Sequence, residues 1–206
     1  MEATNGPSPG STYIHVGPWN SASRSIPALR FSEAYGKMMT GSDLPSYGPY
    51  TRWFHPASTF VTQDDTAFTG VEKWDWLLRT YGSNKHSRVD VREIQATVVF
   101  GGAILYPGGE VEDIMGDPST ERKVLTGREM RGDLVYYHHE LLITPILSNG
   151  QKGEAIPVRR VAEFVLGPAE TKGQGEDGWQ MWRGKVWWDT AVIKSSIANQ
   201  EAKFGQ

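Results

Sequence analysis

The chain has 206 residues, of which 38% are apolar and 22% are charged, an ordinary globular composition that can bury a substantial core. Its formal net charge of −3, without long runs of like charge, gives little support to nucleic-acid or membrane-surface binding. There are no cysteines, so thiolate metal sites, disulfides and cysteine nucleophiles are excluded. The sequence has no apolar run long enough to span a bilayer and no secretory signal, so we expect a cytoplasmic protein.

The chain is rich in aromatic residues, with eight Trp, eight Tyr and seven Phe. Most rings of this kind pack in a core. Large flat side chains also line pockets for small organic molecules, because they offer rigid area at low entropic cost. The composition therefore predicts a deep aromatic pocket.

The first elements are predicted to be helical. Residues 1–24 are rich in Gly, Pro, Ser and Asn and are predicted to form a flexible arm. A helix should begin after Ser25, with Pro27 in its first turn, and end at the Gly-Ser-Asp of 41–43. Its apolar stripe consists of Ala28, Phe31, Tyr35 and Met38.

Two further helices and a short strand follow. A second helix is predicted over about 45–54 and is stopped by Pro56. A strand is predicted over 58–62, and a third helix over about 71–81. The stripe of that third helix consists of Val71, Trp74, Leu78 and Tyr81.

The second half of the chain is predicted to be mainly β. Strands rich in Val, Ile and Thr or in aromatic residues are expected over 88–100, 133–147, 155–166 and 179–192. Residues 101–131 have many Gly and charged residues with little periodicity, so they are predicted to form an insertion or lid. Helices followed by a meandering antiparallel sheet define an α+β class, and we expect residues 25–206 to form a single domain.

Three stretches stand out in an order that extends over about residues 26–197: WFHPASTFVT at 53–62, TGVEKWDWLLRTYG at 69–82 and GKVWWDTAVI at 184–193. Together they resemble the nuclear transport factor 2-like superfamily, and in particular its SnoaL-like branch. The resemblance implies a cone-shaped, strongly curved mixed or antiparallel sheet, with three N-terminal helices enclosing a pocket, and commonly a homodimer. Members of the superfamily include dehydratases, isomerases, polyketide or terpenoid cyclases, epoxide hydrolases and non-catalytic binding modules.

The best candidate for chemistry is the sequence YYHHE at 136–140. Since side chains alternate along a strand, Tyr137 and His139 share one face, and His138 and Glu140 share the other. The first face is the more apolar, so we expect it to meet the helices and to place His139 in the pocket as a general acid or base. Adjacent histidines on opposite faces cannot share a metal, and neither a metal nor another cofactor is predicted.

The family resemblance favours the opposite face of the same strand. Dehydratases of the superfamily have a Tyr-His on the comparable strand, resembling Tyr137-His138, and epoxide hydrolases have an acid there, resembling Glu140. That register turns Tyr136, His138 and Glu140 inward. Both orientations remain open from the sequence, as does a solvated face or a dimer interface.

Two further positions have alternative interpretations. His55 is either a surface residue at the C-terminal end of the second helix or an acid or base at the pocket mouth. Thr62 stands where isomerases of the family have a catalytic Asp. Because Thr cannot ionise, that mechanism is not transferred, and Thr62 is kept as a substrate-binding residue.

The other predicted substrate-binding residues comprise one cation and several rings. Arg160 is the single charge on the apolar face of its strand, so we expect it to meet a carboxylate or a substrate anion and to stabilise an oxyanion. Tyr137 is expected to polarise the same oxygen. The rings expected to shape the pocket are Tyr50, Phe60, Trp182 and Trp188, the last two on one strand face.

The sequence therefore predicts a cofactor-independent enzyme of secondary metabolism that acts on a small hydrophobic, oxygenated molecule. Dehydration, isomerisation, cyclisation and epoxide opening are the candidate reactions, which makes it a lyase or isomerase, with a hydrolase as a further option. The alternative is a non-catalytic small-molecule-binding or scaffold module of the same fold. Two or more titratable groups in the pocket would favour the enzyme, and an all-apolar pocket would favour binding.

Overall fold

The computed structural model describes residues 7–41, 44–81, 87–114 and 127–204. The strands are β1 (Thr12–Val16), β2 (Phe54–Val61), β3 (Ala67–Thr69), β4 (Ser87–Leu105), β5 (Val111–Asp113), β6 (Met130–Pro145), β7 (Ile156–Pro168) and β8 (Trp179–Trp188). The helices are α1 (Ser21–Arg24), α2 (Pro27–Thr40), α3 (Gly70–Tyr81) and α4 (Thr190–Phe204), with short 3₁₀ turns at Leu44–Tyr47 and Tyr50–Arg52.

The strands form one sheet in the order β1-β4-β6-β7-β8-β2-β3, and β5 pairs with β4. All neighbours are antiparallel except β2 and β8, which run parallel. The sheet is curved and unclosed, because β1 and β3 end the order at opposite edges. The predicted α+β class with a curved mixed sheet is confirmed.

Helix α2 covers one face of the sheet and buries the predicted apolar stripe. Pro27 occupies the first helical turn, and the chain leaves the helix at Gly41, whose N–H donates to the Met38 carbonyl. Tyr35 meets the Trp53 ring edge-on at a centroid distance of 6.1 Å. Fully burying an aromatic or Leu side chain of this kind contributes roughly 1.5–3 kcal/mol, so the stripe anchors the helix. Its buried residues include Ala28, Leu29, Phe31, Tyr35 and Met38.

The second predicted helix is not a continuous helix. Two 3₁₀ turns flank Gly48, whose φ of 90° lies in the left-handed region and interrupts any helix there. Pro49 follows directly, and β2 already begins at Phe54. The prediction of 45–54 as helix is therefore wrong, and His55 lies in a strand.

Part of the predicted N-terminal arm is an edge strand. Thr12–Val16 pairs antiparallel with β4, so that Thr12 lies opposite Val99. Asn20 then caps α1 in a reciprocal capping box with Ser23. The overall composition of residues 1–24 favoured disorder, but the local run TYIHV consists almost entirely of strand-forming residues.

The predicted insertion at 101–131 begins as regular structure. Strand β4 continues to Leu105, and a tight turn at Gly108 and Gly109 leads into β5. Residues 115–126 lie outside the described residues, and with them most of the predicted lid.

A β-bulge between β7 and β8 changes which rings share a face. Val165 lies opposite Arg183 but Leu166 lies opposite Met181, so Trp182 is the extra residue. Met181 packs in the core beneath α2, whereas Trp182 packs in a second cluster on the other face of the sheet with Val165. The prediction that Trp182 and Trp188 share a face is therefore wrong.

Candidate functional site

A cavity of about 420 Å³ lies between α2 and the sheet, a size typical of small-molecule sites. Helix α2 forms one wall, and the strands β4, β6 and β7 form the other. Trp19, before α1, and Ile193, in α4, close two further sides. The apolar and aromatic lining includes Trp19, Tyr35, Met39, Val89, Val91, Ile94, Tyr137, Leu141, Ile143, Val158, Phe164, Trp188 and Ile193.

One row of side chains across three strands carries most of the polarity of the sheet wall. His139 on β6 lies directly opposite Arg160 on β7, and Arg160 lies directly opposite Trp188 on β8. All three line the cavity. Ile94 on β4 extends the row on the other side of His139. Adjacent strands thus bring an imidazole, a guanidinium and an indole into lateral contact range.

His139 is held in its neutral form. Burial lowers its pKa to about 3, and the electrostatic effects of the neighbouring Arg160 and His138 side chains act in the same direction. At neutral pH the ring therefore offers one N–H donor and one nitrogen acceptor to the cavity. A neutral imidazole of this kind can polarise an oxygen or accept a proton.

Arg160 supplies a fixed positive charge beside that imidazole. Its Cζ lies 5.6 Å from the centre of the Trp188 ring, within the range of a cation–π contact. The planar guanidinium has five donors, so it can bind an oxyanion and still keep protein contacts. The pair is suited to stabilising negative charge that develops on a ligand oxygen.

The hydroxyl group of Tyr137 already takes part in a chain of hydrogen bonds. Its hydroxyl donates to Ser32 Oγ, and Ser32 in turn donates to the Ala28 carbonyl at 2.6 Å. Burial raises the pKa of Tyr137, so the hydroxyl keeps its proton. Tyr137 thus fixes α2 against the sheet wall, and its proton is committed to Ser32 rather than to a ligand.

Charged groups from α2 line the solvent-exposed end of the cavity. Glu33 accepts two hydrogen bonds from Arg24, at 2.7 and 2.8 Å, and pairs with Lys37 at 2.7 Å. The hydrogen bonds from Arg24 and the contacts with Lys37 outweigh burial and lower the pKa of Glu33 to about 2. Glu33 is therefore a locked carboxylate and a poor base.

The structure selects the first of the two orientations for the candidate strand. Tyr137 and His139 line the cavity, and His138 and Glu140 lie on the opposite face. The inward register of Tyr136, His138 and Glu140 suggested by the family resemblance is therefore not the one adopted. The deciding factor is the apolar character of the face that also carries Leu141.

His55 lies on the far side of the sheet from the cavity. It is buried to 3% exposure and stacks on Trp182 at a centroid distance of 4.1 Å. Its Nδ1 accepts from the Ala57 N–H at 3.2 Å, and its Nε2 lies 2.9 Å from Glu170 Oε2. These contacts fix the tautomer with the proton on Nε2. Both sequence interpretations, a surface cap and a pocket-mouth acid or base, are wrong.

Four other predicted pocket residues do not line this cavity. Thr62 Oγ1 donates to Asp64 Oδ1 at 2.5 Å, which closes the turn between β2 and β3. The Phe60 ring packs against the Phe164 ring at a centroid distance of 6.3 Å. Gly184 leaves room for the Phe60 ring, because a Cβ at that position would clash with it. Tyr50 lies in a 3₁₀ turn, and Trp182 lies on the other face of the sheet.

Sequence reasoning missed the cavity residues contributed by α2 and by the segment before α1. Trp19, Ser32 and Lys37 line the cavity, as does Asp90 at the start of β4. The signal for the α2 residues was the polar edge beside the apolar stripe: Ser32 follows Phe31 directly, and Lys37 lies two residues after Tyr35. Trp19 lies in a segment predicted to be a flexible arm, so it was not placed at the pocket.

Comparisons with known proteins give a fold likeness at low similarity. No protein-family model matches the chain, and no curated protein matches its sequence. Nuclear transport factor 2 from Cryptosporidium parvum aligns over 84% of this chain and 98% of its own, with 12% identity and a TM-score of 0.41. The structure of a Sac3N peptide bound to Mex67:Mtr2 aligns over 81% of this chain and 99% of its own, with 16% identity and a TM-score of 0.44.

The described residues contain neither a membrane-spanning helix nor a cluster of metal ligands. No described helix is both long and apolar enough to span a membrane. In the same part of the chain, no group of three or more His, Asp or Glu residues is arranged to hold a metal ion. The row His139–Arg160–Trp188 is thus the feature on which a functional proposal rests.

Proposed function

We propose that the cavity is the active site of a cofactor-independent enzyme that moves a proton next to the carbonyl or hydroxyl of a small organic molecule. The supporting observation is the register row His139–Arg160–Trp188 on the wall of a mainly apolar and aromatic cavity of about 420 Å³. Such a cavity holds a flat, apolar molecule and directs one oxygen atom toward the two polar groups.

Each member of the row has a distinct role in this proposal. Arg160 binds the oxygen on which negative charge develops as the proton leaves the neighbouring carbon. His139, neutral because of burial and Arg160, accepts that proton and returns it elsewhere on the molecule. A weak base suffices when the oxyanion is stabilised. Trp188 provides the flat wall against which the apolar part of the substrate lies.

This chemistry is common to dehydration and isomerisation, so we assign the enzyme to the lyases or isomerases. Cyclisation and epoxide opening of polyketide- or terpenoid-type molecules of secondary metabolism use the same pair of groups. A cytoplasmic location is part of the same proposal. The alternative, a non-catalytic binding module, uses the cavity and Arg160 but needs no proton transfer by His139.

Proton exchange tests the enzymatic proposal without a known substrate. Small ketones such as cyclohexanone are incubated with the protein in D₂O, and the loss of the α-proton signal is followed by NMR. We expect exchange faster than in buffer alone, because Arg160 lowers the energy of the enolate. An exchange rate equal to that in buffer alone, across a panel of ketones, would contradict the enzymatic proposal and favour the non-catalytic binding module.

Binding of an aromatic anion tests Arg160 separately. We expect anilinonaphthalene sulfonate to bind the cavity with an increase in fluorescence, and Arg160→Met to weaken binding by about tenfold or more, because a charge-assisted hydrogen bond is lost. The matched control is Arg159→Met, since Arg159 is exposed on the other face of the same strand. Equal weakening by both substitutions would show that the dye binds elsewhere.

We also propose a homodimer formed through the outer face of the sheet. A row on that face joins Gln95, His138, Val161 and Trp187, and it ends at Val16 on the edge strand. Val16, Val161 and Trp187 are exposed by 72%, 37% and 45%. Glu140 and Arg159 lie opposite each other on the same face, so a copy related by a twofold axis can pair each charge with its opposite.

Substitution of the exposed indole tests the homodimer. We expect the native chain to sediment as a dimer and Trp187→Lys to shift it toward the monomer, because burying an unpaired charge in that interface is unfavourable. Lys172→Ala, at an exposed loop position, is the control and should leave the mass unchanged. A native chain that sediments as a monomer at all concentrations would contradict the proposal.

A further inference from the structure

Trp19 belongs to the cavity but to none of the elements that form its two main walls. It lies between β1 and α1, in the part of the chain whose composition predicts a flexible arm. Its side chain nevertheless lines the cavity and packs against the main core cluster. Because the side chain is only partly buried, Trp19 presents part of an indole to a molecule in the cavity.

Contacts on both sides of Trp19 along the chain fix its position. The Gly17 N–H donates to the Ile94 carbonyl of β4 at 2.8 Å, and the φ of 88° at Gly17 turns the chain out of β1. On the other side, the Asn20 side chain caps α1 by accepting from the Ser23 N–H at 3.1 Å. Since both neighbouring anchors are held, a ligand meets an indole that is ordered before binding.

One face of the Trp19 ring is covered by a second ring. The His15 ring of β1 stacks on it at a centroid distance of 5.1 Å, with the two planes inclined by only 8°. His15 is buried to 3% exposure, so it forms a fixed support for the indole. The indole surface that remains for the cavity is flat, apolar and firmly supported, and planar rings stack on surfaces of this kind.

The strand register relates Trp19 to the polar groups of the cavity. Ile94, whose carbonyl anchors Gly17, lies opposite His139, and His139 lies opposite Arg160. Neighbouring strands are about 4.8 Å apart, so Arg160 lies about 10 Å along the sheet from Ile94. A ligand whose oxygen reaches Arg160 can therefore extend across β6 and β4 and place its far end against the indole of Trp19.

We propose that Trp19 is a specificity-determining residue that selects ligands with a planar, conjugated ring at the end away from Arg160. This inference rests on the proposed function, because it takes Arg160 as the group that binds the ligand oxygen. The ligand ring stacks on the indole surface that His15 leaves open. A saturated ring of the same carbon skeleton is puckered, so it keeps the apolar burial but loses the flat contact. The favoured substrate is thus an oxygenated molecule with a planar aromatic ring.

Two carboxylates with the same carbon skeleton test the proposal. The fused rings of 2-naphthoate are planar, whereas those of decahydro-2-naphthoate are fully saturated. Isothermal titration calorimetry gives the affinity of each ligand, and the measured quantity is the ratio of the two affinities. We expect Trp19→Leu to shift this ratio about fivefold toward the saturated ligand, because an aromatic pair contributes beyond the apolar area that both ligands bury. Trp19→Phe should keep most of the native ratio.

The ratio separates ring selection from a structural role of Trp19. A general loss of structure would weaken both ligands alike, so an unchanged ratio in Trp19→Leu would overturn the proposal, as would a native chain that binds neither ligand. The matched control is Trp187→Leu, which removes an exposed indole on the outer face of the sheet and should leave the ratio unchanged. A chain that does not accelerate ketone exchange can still show the dependence on Trp19, so this inference and the proposed function can fail independently.

Discussion

We expect His139→Ala to slow ketone α-proton exchange by about 100-fold or more, since a positioned proton-transfer group typically contributes a factor of that size. The measurement is the exchange rate in D₂O for the native and variant chains at equal concentration. His138→Ala is the matched control, because His138 is adjacent on β6 and lies on the other face. Its rate should equal that of the native chain.

The pH dependence of the exchange adds a second readout for His139. With a pKa near 3, the imidazole is already deprotonated at pH 5, so the rate should stay flat between about pH 5 and 8. A fall in rate with a midpoint near 6.5 would show an ordinary solvated imidazole and would contradict the role given to His139. An equal loss of activity in His138→Ala would do so as well.

The second large effect is expected on stability, from Lys73→Met. Lys73 lies in α3 with only 1% of its surface exposed, and its Nζ lies 3.7 Å and 3.8 Å from the centres of the Phe60 and Trp76 rings. The pKa of this lysine falls from 10.5, the ordinary value for a lysine amine, to about 6 in the folded chain. Between pH 6 and pH 10.5 the amine of Lys73 binds a proton in the unfolded chain but not in the folded chain. Lys73 therefore destabilises the fold at low pH, and this destabilisation disappears as the pH rises toward 10.5. Each pH unit corresponds to about 1.4 kcal/mol, so we expect Lys73→Met to raise the free energy of unfolding by roughly 3 kcal/mol or more at pH 7.

Urea unfolding at pH 7 and pH 10 measures this difference. The gain should shrink at the higher pH, because the folded chain's Lys73 is mostly uncharged at both pH values, whereas the unfolded chain's amine comes close to its ordinary pKa of 10.5 at pH 10. Lys37→Met is the matched control: Lys37 pairs with Glu33, so the same substitution should give no gain. A Lys73→Met chain that is less stable than the native chain at pH 7 would show that the aromatic rings more than compensate for burial.

The residues that sequence patterning placed correctly are those with regular periodicity. The α2 stripe and the strands β6 and β7 follow simple 3.6 and 2.0 periods, and those periods survive in the structure. Alternation on β6 also placed His139 beside the apolar residues that face the helices, and the same reasoning placed Arg160 on the inner face of β7. The polar row follows from these two placements and the strand register.

The residues that were misplaced depend on local departures from those periods. One bulged residue moves Trp182 to the other face, and no composition signal marks it. A left-handed glycine at Gly48 ends the helical pattern early and makes His55 a strand residue. Lys73 lies in the helix that periodicity predicts, but two of the rings around its amine, Phe60 and Phe68, are contributed by β2 and β3, so its environment depends on packing that the sequence does not display.

The parallel pairing of β2 with β8 has a consequence for the order of folding. Phe60 on β2 lies beside Gly184 on β8, so this contact joins residues far apart along the chain. Because β2 and β3 reach the sheet only through β8, they have no strand partner among the described residues outside their own hairpin until the last strand has been synthesised. A nascent chain that stalls before β8 therefore exposes the unpaired edge of β2 to chaperones and to aggregation.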